Sequence, residues 1–171
     1  VFSFYVYKFS HQNSYNSMEL LQAKHYRIVP TEIEVEDVRR ILARTKLDPV
    51  SDAPFPQADT FGTIIDLLVT LAGAGGSMSR EKITTEYAFD VRQTQYYTDA
   101  TRYLGLTDKS LGGPEGIIYT LTPLGKAITK KTAKARNLKL VGIILSRPVF
   151  RDAMEAYLST GEMPPVSLIL K

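Results

Sequence analysis

The stretch from Ser79 to Pro123 constrains the fold most, because its hydrophobic pattern changes from helical to alternating within one short span. Ser79 is placed to cap a helix through Arg80, Glu81, Lys82, Ile83, Thr84, Thr85 and Glu86, since a side-chain oxygen there accepts from an otherwise unpaired amide of the first turn. Tyr87-Ala88-Phe89 then reads as a turn, and Asp90 as the cap of a longer helix. From Val91 to Leu104 the residues Tyr96, Tyr97, Ala100, Tyr103 and Leu104 recur at helical spacing, with Arg92, Gln95, Asp99 and Arg102 expected on the opposite, solvent side.

After Gly105 the period becomes two. Ile117, Tyr119 and Leu121 alternate against Ile118, Thr120 and Thr122, as in a half-buried strand, and Leu106 to Lys109 is the expected partner strand. Between them Ser110-Leu111-Gly112-Gly113-Pro114-Glu115-Gly116 suits a projecting loop. Thr122 caps and Pro123 starts another helix, because proline at the first helical position forfeits no helical hydrogen bond. Helix, tight turn, longer helix and two-stranded ribbon, in that order, predict a winged helix-turn-helix. The expected fold class is α+β, mainly α, with an N-terminal β-hairpin and extra C-terminal helices.

The rest of the chain divides around that stretch. Residues 1–30 read as a β-hairpin: Val1 to Ser10 alternate, His11 to Ser17 form a polar loop, and Met18 to Val29 return toward Pro30. Its free edges call for pairing with a neighbouring domain or a second copy. Residues 31–56 hold a helix, with Thr31 and Glu34 at capping-box spacing and Val35, Val38, Ile41 and Leu42 forming its apolar face to about Thr45, then the connector Asp48 to Pro56 with its three prolines. The main domain is expected over 57–125, its first helix capped by Asp59 or Thr60, buried through Phe61, Ile64, Ile65, Leu68 and Leu71, and stopped by Gly73-Ala74-Gly75-Gly76. Residues 126–171 form a helical extension: the helix through Leu124 to Lys134, another from Leu138 to Leu145, and a third that Pro148 restarts. A start at Val1 and an end in the apolar run Val166 to Leu170, closed by Lys171, read as the two cuts of a fragment.

Charge narrows the partners. The 171 residues carry a net charge of +3, which permits an anionic partner without demanding one. Distribution says more: from Pro123 to Arg147 there is no Asp or Glu, while Lys126, Lys130, Lys131, Lys134, Arg136, Lys139 and Arg147 are basic. Such an interval is either a solvated face or a set of phosphate contacts. The absence of cysteine excludes disulfides, thiolate metal sites and a cysteine nucleophile. No apolar run reaches the roughly 20 residues of a membrane helix, and no secretory signal is visible, so a cytoplasmic location is expected.

In a helix-turn-helix, the start of the second helix meets base edges in the major groove, where Arg bridges guanine acceptors and Gln bridges adenine. Arg92, Gln93, Gln95 and Tyr96 are therefore the base-reading candidates, and Lys126, Lys130, Lys131, Lys134, Arg136 and Lys139 the phosphate-binding candidates on double-stranded DNA. Arg and Gln also populate ordinary solvated helix faces. The stretch Glu86-Tyr87-Ala88-Phe89-Asp90-Val91-Arg92-Gln93-Thr94-Gln95-Tyr96-Tyr97, with Arg102-Tyr103-Leu104-Gly105-Leu106 and Tyr119-Thr120-Leu121-Thr122-Pro123-Leu124-Gly125, resembles the winged-helix module attached to certain bacterial type II restriction endonucleases. Over Gln57 to about Pro165, that resemblance implies a DNA-recognition part whose cleavage domain lies elsewhere. Arg92 has a second reading, holding the turn through Asp90 or Glu86.

Other chemistry is thinner. Gln22-Ala23-Lys24 with Glu19 has the spacing of a nuclease strand but lacks an upstream Pro-Asp partner, so no catalytic residue and no metal or other cofactor is assigned. Gly73 to Ser77 lacks the lysine and spacing of a phosphate-binding loop, and His11 and His25 lack the company of a zinc site. The competing function is a protein-interaction or dimerisation winged helix that binds no nucleic acid. Beside double-stranded DNA, the expected partners are a second copy in a homodimer or a missing catalytic domain.

Overall fold

The computed structural model describes residues 33–48, 52–162 and 164–165. The hairpin expected over 1–30, with Gln22, Lys24, His11 and His25, lies outside them, as does Thr31. In chain order the elements are α1 (Val35–Arg44), α2 (Phe61–Gly73), β1 (Ser77–Ser79), α3 (Arg80–Tyr87), α4 (Val91–Tyr103), β2 (Thr107–Leu111), a 3₁₀ turn (Gly113–Glu115), β3 (Ile117–Leu121), α5 (Pro123–Thr129), α6 (Ala133–Leu145) and α7 (Pro148–Thr160). The class is α+β and mainly helical, with one three-stranded antiparallel sheet among the described residues. These residues fall into two compact units, 52–131 and 33–48 with 132–165.

In the first unit α2 buries Ile64, Leu67, Leu68 and Leu71. Thr60 occupies its N-cap position without a side-chain cap; its hydroxyl donates to Asp59 Oδ1 at 3.2 Å, and the same oxygen accepts from the Tyr97 hydroxyl at 2.6 Å. The helix stops where Gly75 and Gly76 take φ values of 83° and 99°, a region open to glycine at no steric cost. The next three residues form β1, a strand too short to leave a period in the sequence. Pairing defines it: Ser77, Met78 and Ser79 lie opposite Thr120, Tyr119 and Ile118, giving the sheet order β1-β3-β2.

Ser79, Asp90 and Thr122 all cap as expected, their side-chain oxygens accepting from the amides of Lys82, Gln93 and Gly125 at 3.3, 2.7 and 3.0 Å. The β2–β3 hairpin is longer than expected, because Ser110 and Leu111 continue the ladder opposite Ile118 and Ile117, leaving a loop of Gly112 to Gly116. Asp99 and Arg102 do not line a solvent face. Asp99 is only 7% exposed and is held by Arg102 Nη1 at 2.9 Å, since α4 packs on α2 along one side and on β2 along another. The sheltered side of α4 also carries Thr94, Thr98 and Thr101, all fully buried. Their hydroxyls donate to the carbonyls of Asp90, Thr94 and Thr98 at 3.1, 2.8 and 2.8 Å, so polar atoms enter the interior already satisfied.

The helix expected through Lys134 breaks after Thr129. Thr132 adopts an extended ψ of 157° and opens α6, which begins at Ala133 rather than Leu138. In the second unit α6 packs on both α1 and α7. The N-cap of α1 is Glu34, whose amide donates to Asp37 Oδ2 at 3.3 Å, so the box falls three residues later than the Thr31 spacing predicts. Arg147, read above as part of the basic interval, is internal: its Nη1 donates to the Asp48 carbonyl at 2.7 Å and meets Asp48 Oδ2 at 3.2 Å. Arg151 likewise donates to the carbonyls of Leu42 and Thr45 at the end of α1, where a cation suits the helix dipole.

One close approach fixes α5 against the hairpin. A Cβ added at Gly125 would stand 2.2 Å from the Leu106 carbonyl oxygen, a backbone atom that cannot swing aside. Gly125→Ala is expected to destabilise the protein by about 3 kcal/mol. Gly62→Ala, with nothing within 4 Å, is expected to stabilise it by about 0.5 kcal/mol. Paired denaturant titrations check both signs.

Candidate nucleic-acid interface

The four base-reading candidates are carried by α4, which follows α3 across a tight turn. Ala88 bridges the helices in the left-handed region at φ 50°, the one non-glycine residue with positive φ among the described residues. Thr84 and Thr94 hydroxyls meet at 2.9 Å across the helix pair. The amide of Asp90 donates back to Gln93 Oε1 at 3.1 Å, completing a reciprocal capping box.

Three rings stiffen the back of this turn. Tyr87, Phe89 and Tyr97 stack in series with centroids 5.1 Å apart at each step. Tyr87 donates to Asp66 Oδ2 at 2.7 Å and Tyr97 to Asp59 Oδ1 at 2.6 Å, so both ends of the stack are tied to carboxylates just before and on α2. Burial, then the neighbouring carboxylate, pushes the Tyr97 hydroxyl above its ordinary range. Tyr87 is pushed up as well, by burial first and by Asp66 after it, against a downward pull from Thr70.

On the outer side Arg92, Gln93 and Gln95 are exposed and Tyr96 is half-buried. The Arg92 guanidinium lies over the Tyr96 ring, 5.3 Å from its centroid, and Nε donates to the Tyr96 hydroxyl. Among the described residues no ion pair joins Arg92 to Asp90 or Glu86. Gln93 spends its carbonyl oxygen on the cap, whereas the Gln95 side chain makes no hydrogen bond among the described residues. The four candidates thus share one end of α4, in three different states of engagement.

The basic candidates belong to both units. Lys126, Lys130 and Lys131 are exposed in the first; in the second Lys134 and Lys139 are exposed and Arg136 is half-buried, its Nε sheltered without a partner among the described residues. The first turn of α6 carries no acidic residue, so Lys134 adds its charge to the positive end of the helix dipole. Sequence reasoning passed over Lys109 and Leu111, both exposed on β2, because five residues at a sheet edge leave too short an alternation to assign faces. Residues 52–131 hold eight Lys and Arg against nine Asp and Glu, so this unit owes any attraction for polyanions to local placement. Among the described residues no group of three His, Cys, Asp or Glu could hold a metal ion, and no helix is long and apolar enough to cross a membrane.

The chain belongs to the family described as "Domain of unknown function (DUF7226)", whose family model matches residues 63–171. No curated protein and no solved structure matches it.

The stacked tyrosines generate a pH dependence with a definite sign. A tyrosine whose pKa is raised in the folded state contributes stability that is complete below the unfolded value of about 10 and is lost as pH rises through the folded value. The melting temperature is expected to fall above about pH 10, and Tyr87→Phe and Tyr97→Phe to flatten that fall while costing about 1–2 kcal/mol each at neutral pH. Thermal melts of the three proteins between pH 7 and 11 provide the check.

Proposed function

We propose that the chain is a double-stranded DNA-binding module built as a winged helix-turn-helix, with α4 as the helix that enters the major groove. The observation that carries this reading is the exposed start of α4, where Arg92 and Gln95 stand on one side without acidic partners among the described residues while Thr94, Thr98 and Ala100 are buried on the other. Supporting it are the element order from α2 to β3, which puts the β2–β3 hairpin after the second helix as a wing requires, and the antiparallel strand order β1-β3-β2. In the first unit phosphate contacts come from Lys126, Lys130 and Lys131; Lys134, Arg136 and Lys139 are a separate set of phosphate candidates on the second unit. The resemblance of residues 86–97 extends the proposal to the recognition part of a cytoplasmic restriction endonuclease, with cleavage supplied by another domain.

A second reading, a protein-interaction module of the same architecture, is favoured by Leu111, 86% exposed on the hairpin, and by the slight negative charge of its unit. Gel shifts on mixed duplexes at two salt concentrations separate them. DNA binding is expected to weaken steeply with salt, and Lys130→Ala with Lys131→Ala to weaken every sequence alike and reduce the slope by about one unit per lost contact. Retention of the wild-type slope in the double variant rules out those lysines as phosphate contacts. Absence of any shift, with self-association abolished by Leu111→Ser, establishes the second reading in place of the first.

A further inference from the structure

We propose that Tyr96 is a positioning residue that presents Arg92 to a single guanine, so that this face of α4 reads a G·C pair through the Nη1 and Nη2 edge of the guanidinium; the inference rests on the DNA-binding reading above. An exposed arginine ordinarily loses rotamer freedom when it docks on a base, which offsets part of the contact it makes. Arg92 is held before docking. Its guanidinium lies 5.3 Å from the Tyr96 ring centroid while Nε donates to the Tyr96 hydroxyl, an arrangement that the i, i+4 spacing on α4 permits.

Because Nε is engaged, the group left for a ligand is the terminal pair of amino nitrogens, a planar fork that matches the O6 and N7 acceptors of guanine in the major groove. No ion pair among the described residues competes for that fork. Gln93 is turned toward the cap, where Oε1 accepts from the Asp90 amide, so the equivalent adenine contact would have to share or break that bond. Gln95, three residues beyond Arg92, exposed and without a side-chain hydrogen bond among the described residues, is left for a neighbouring base pair.

The test takes the full chain and the preferred duplex selected from a random library, then replaces each guanine in turn by 7-deazaguanine, which pairs normally but lacks N7. One replacement is expected to weaken wild-type binding roughly tenfold to a hundredfold. Arg92→Ala should bind both duplexes equally weakly, and Arg92→Lys should keep its affinity for random duplex while losing the discrimination. Tyr96→Phe retains the ring but not the hydroxyl, and should lose several-fold of the N7 discrimination with melting temperature and random-duplex affinity unchanged. Selective binding insensitive to N7 at every guanine overturns the guanine assignment alone. Wild-type discrimination in Tyr96→Phe overturns the positioning role. Failure to bind any duplex overturns both this inference and the DNA-binding reading.

Discussion

A helix buried on two sides must satisfy its own polar atoms, and that requirement shapes everything around α4. Threonine meets it with a compact side chain that carries a hydroxyl and a methyl together: Thr94, Thr98 and Thr101 return their protons to the preceding turn and leave methyl groups to pack. Thr94 and Thr101 also reach outward, to Thr84 of α3 at 2.9 Å and to Thr107 of β2 at 2.7 Å. The helix is thereby keyed to the elements before and after it, and its angle to both is set by short hydrogen bonds rather than by apolar contact alone. What remains outside is a narrow strip at its start, where function has room.

Local chemistry was legible wherever one or two residues decide the outcome. The caps at Ser79, Asp90 and Thr122, the apolar face of α2 and the glycine stop after it each follow from an amide to satisfy or a φ value to allow. Long-range pairing was not legible. β1 exists only because β3 offers it an edge, and Asp99 reads as a solvent residue until Arg102 is seen to accompany it inward. Arg147 misleads in the same way, since nothing near it in sequence announces that Asp48, far back in the chain, supplies its partner.

The candidate site divides along similar lines. Its location at the start of α4 could be read from helix periodicity, and the exposure of Arg92 and Gln95 follows from it. The difference between Gln93 and Gln95 could not, because two glutamines two residues apart look alike until one is found inside a capping box. Charge is the term that composition conveys least well here. A chain with net +3 contains a unit with one more acid than base, and of those acids Asp59, Asp66, Asp90 and Asp99 are occupied with tyrosines, a cap and an arginine. Internal use of carboxylates leaves the exposed cations less opposed than a count suggests.

The ring stack behind the turn has an optical consequence. The chain contains ten tyrosines and no tryptophan, so its ultraviolet emission is tyrosine emission. A phenol that donates to a carboxylate sheds its proton toward it on excitation and emits little, which makes Tyr87 and Tyr97 dark while Asp66 and Asp59 hold them. Coupled rings 5.1 Å apart also impart handedness to the near-ultraviolet absorption. Opening of the α3–α4 pair therefore brightens one signal and erases the other, giving this region a built-in reporter that needs no label.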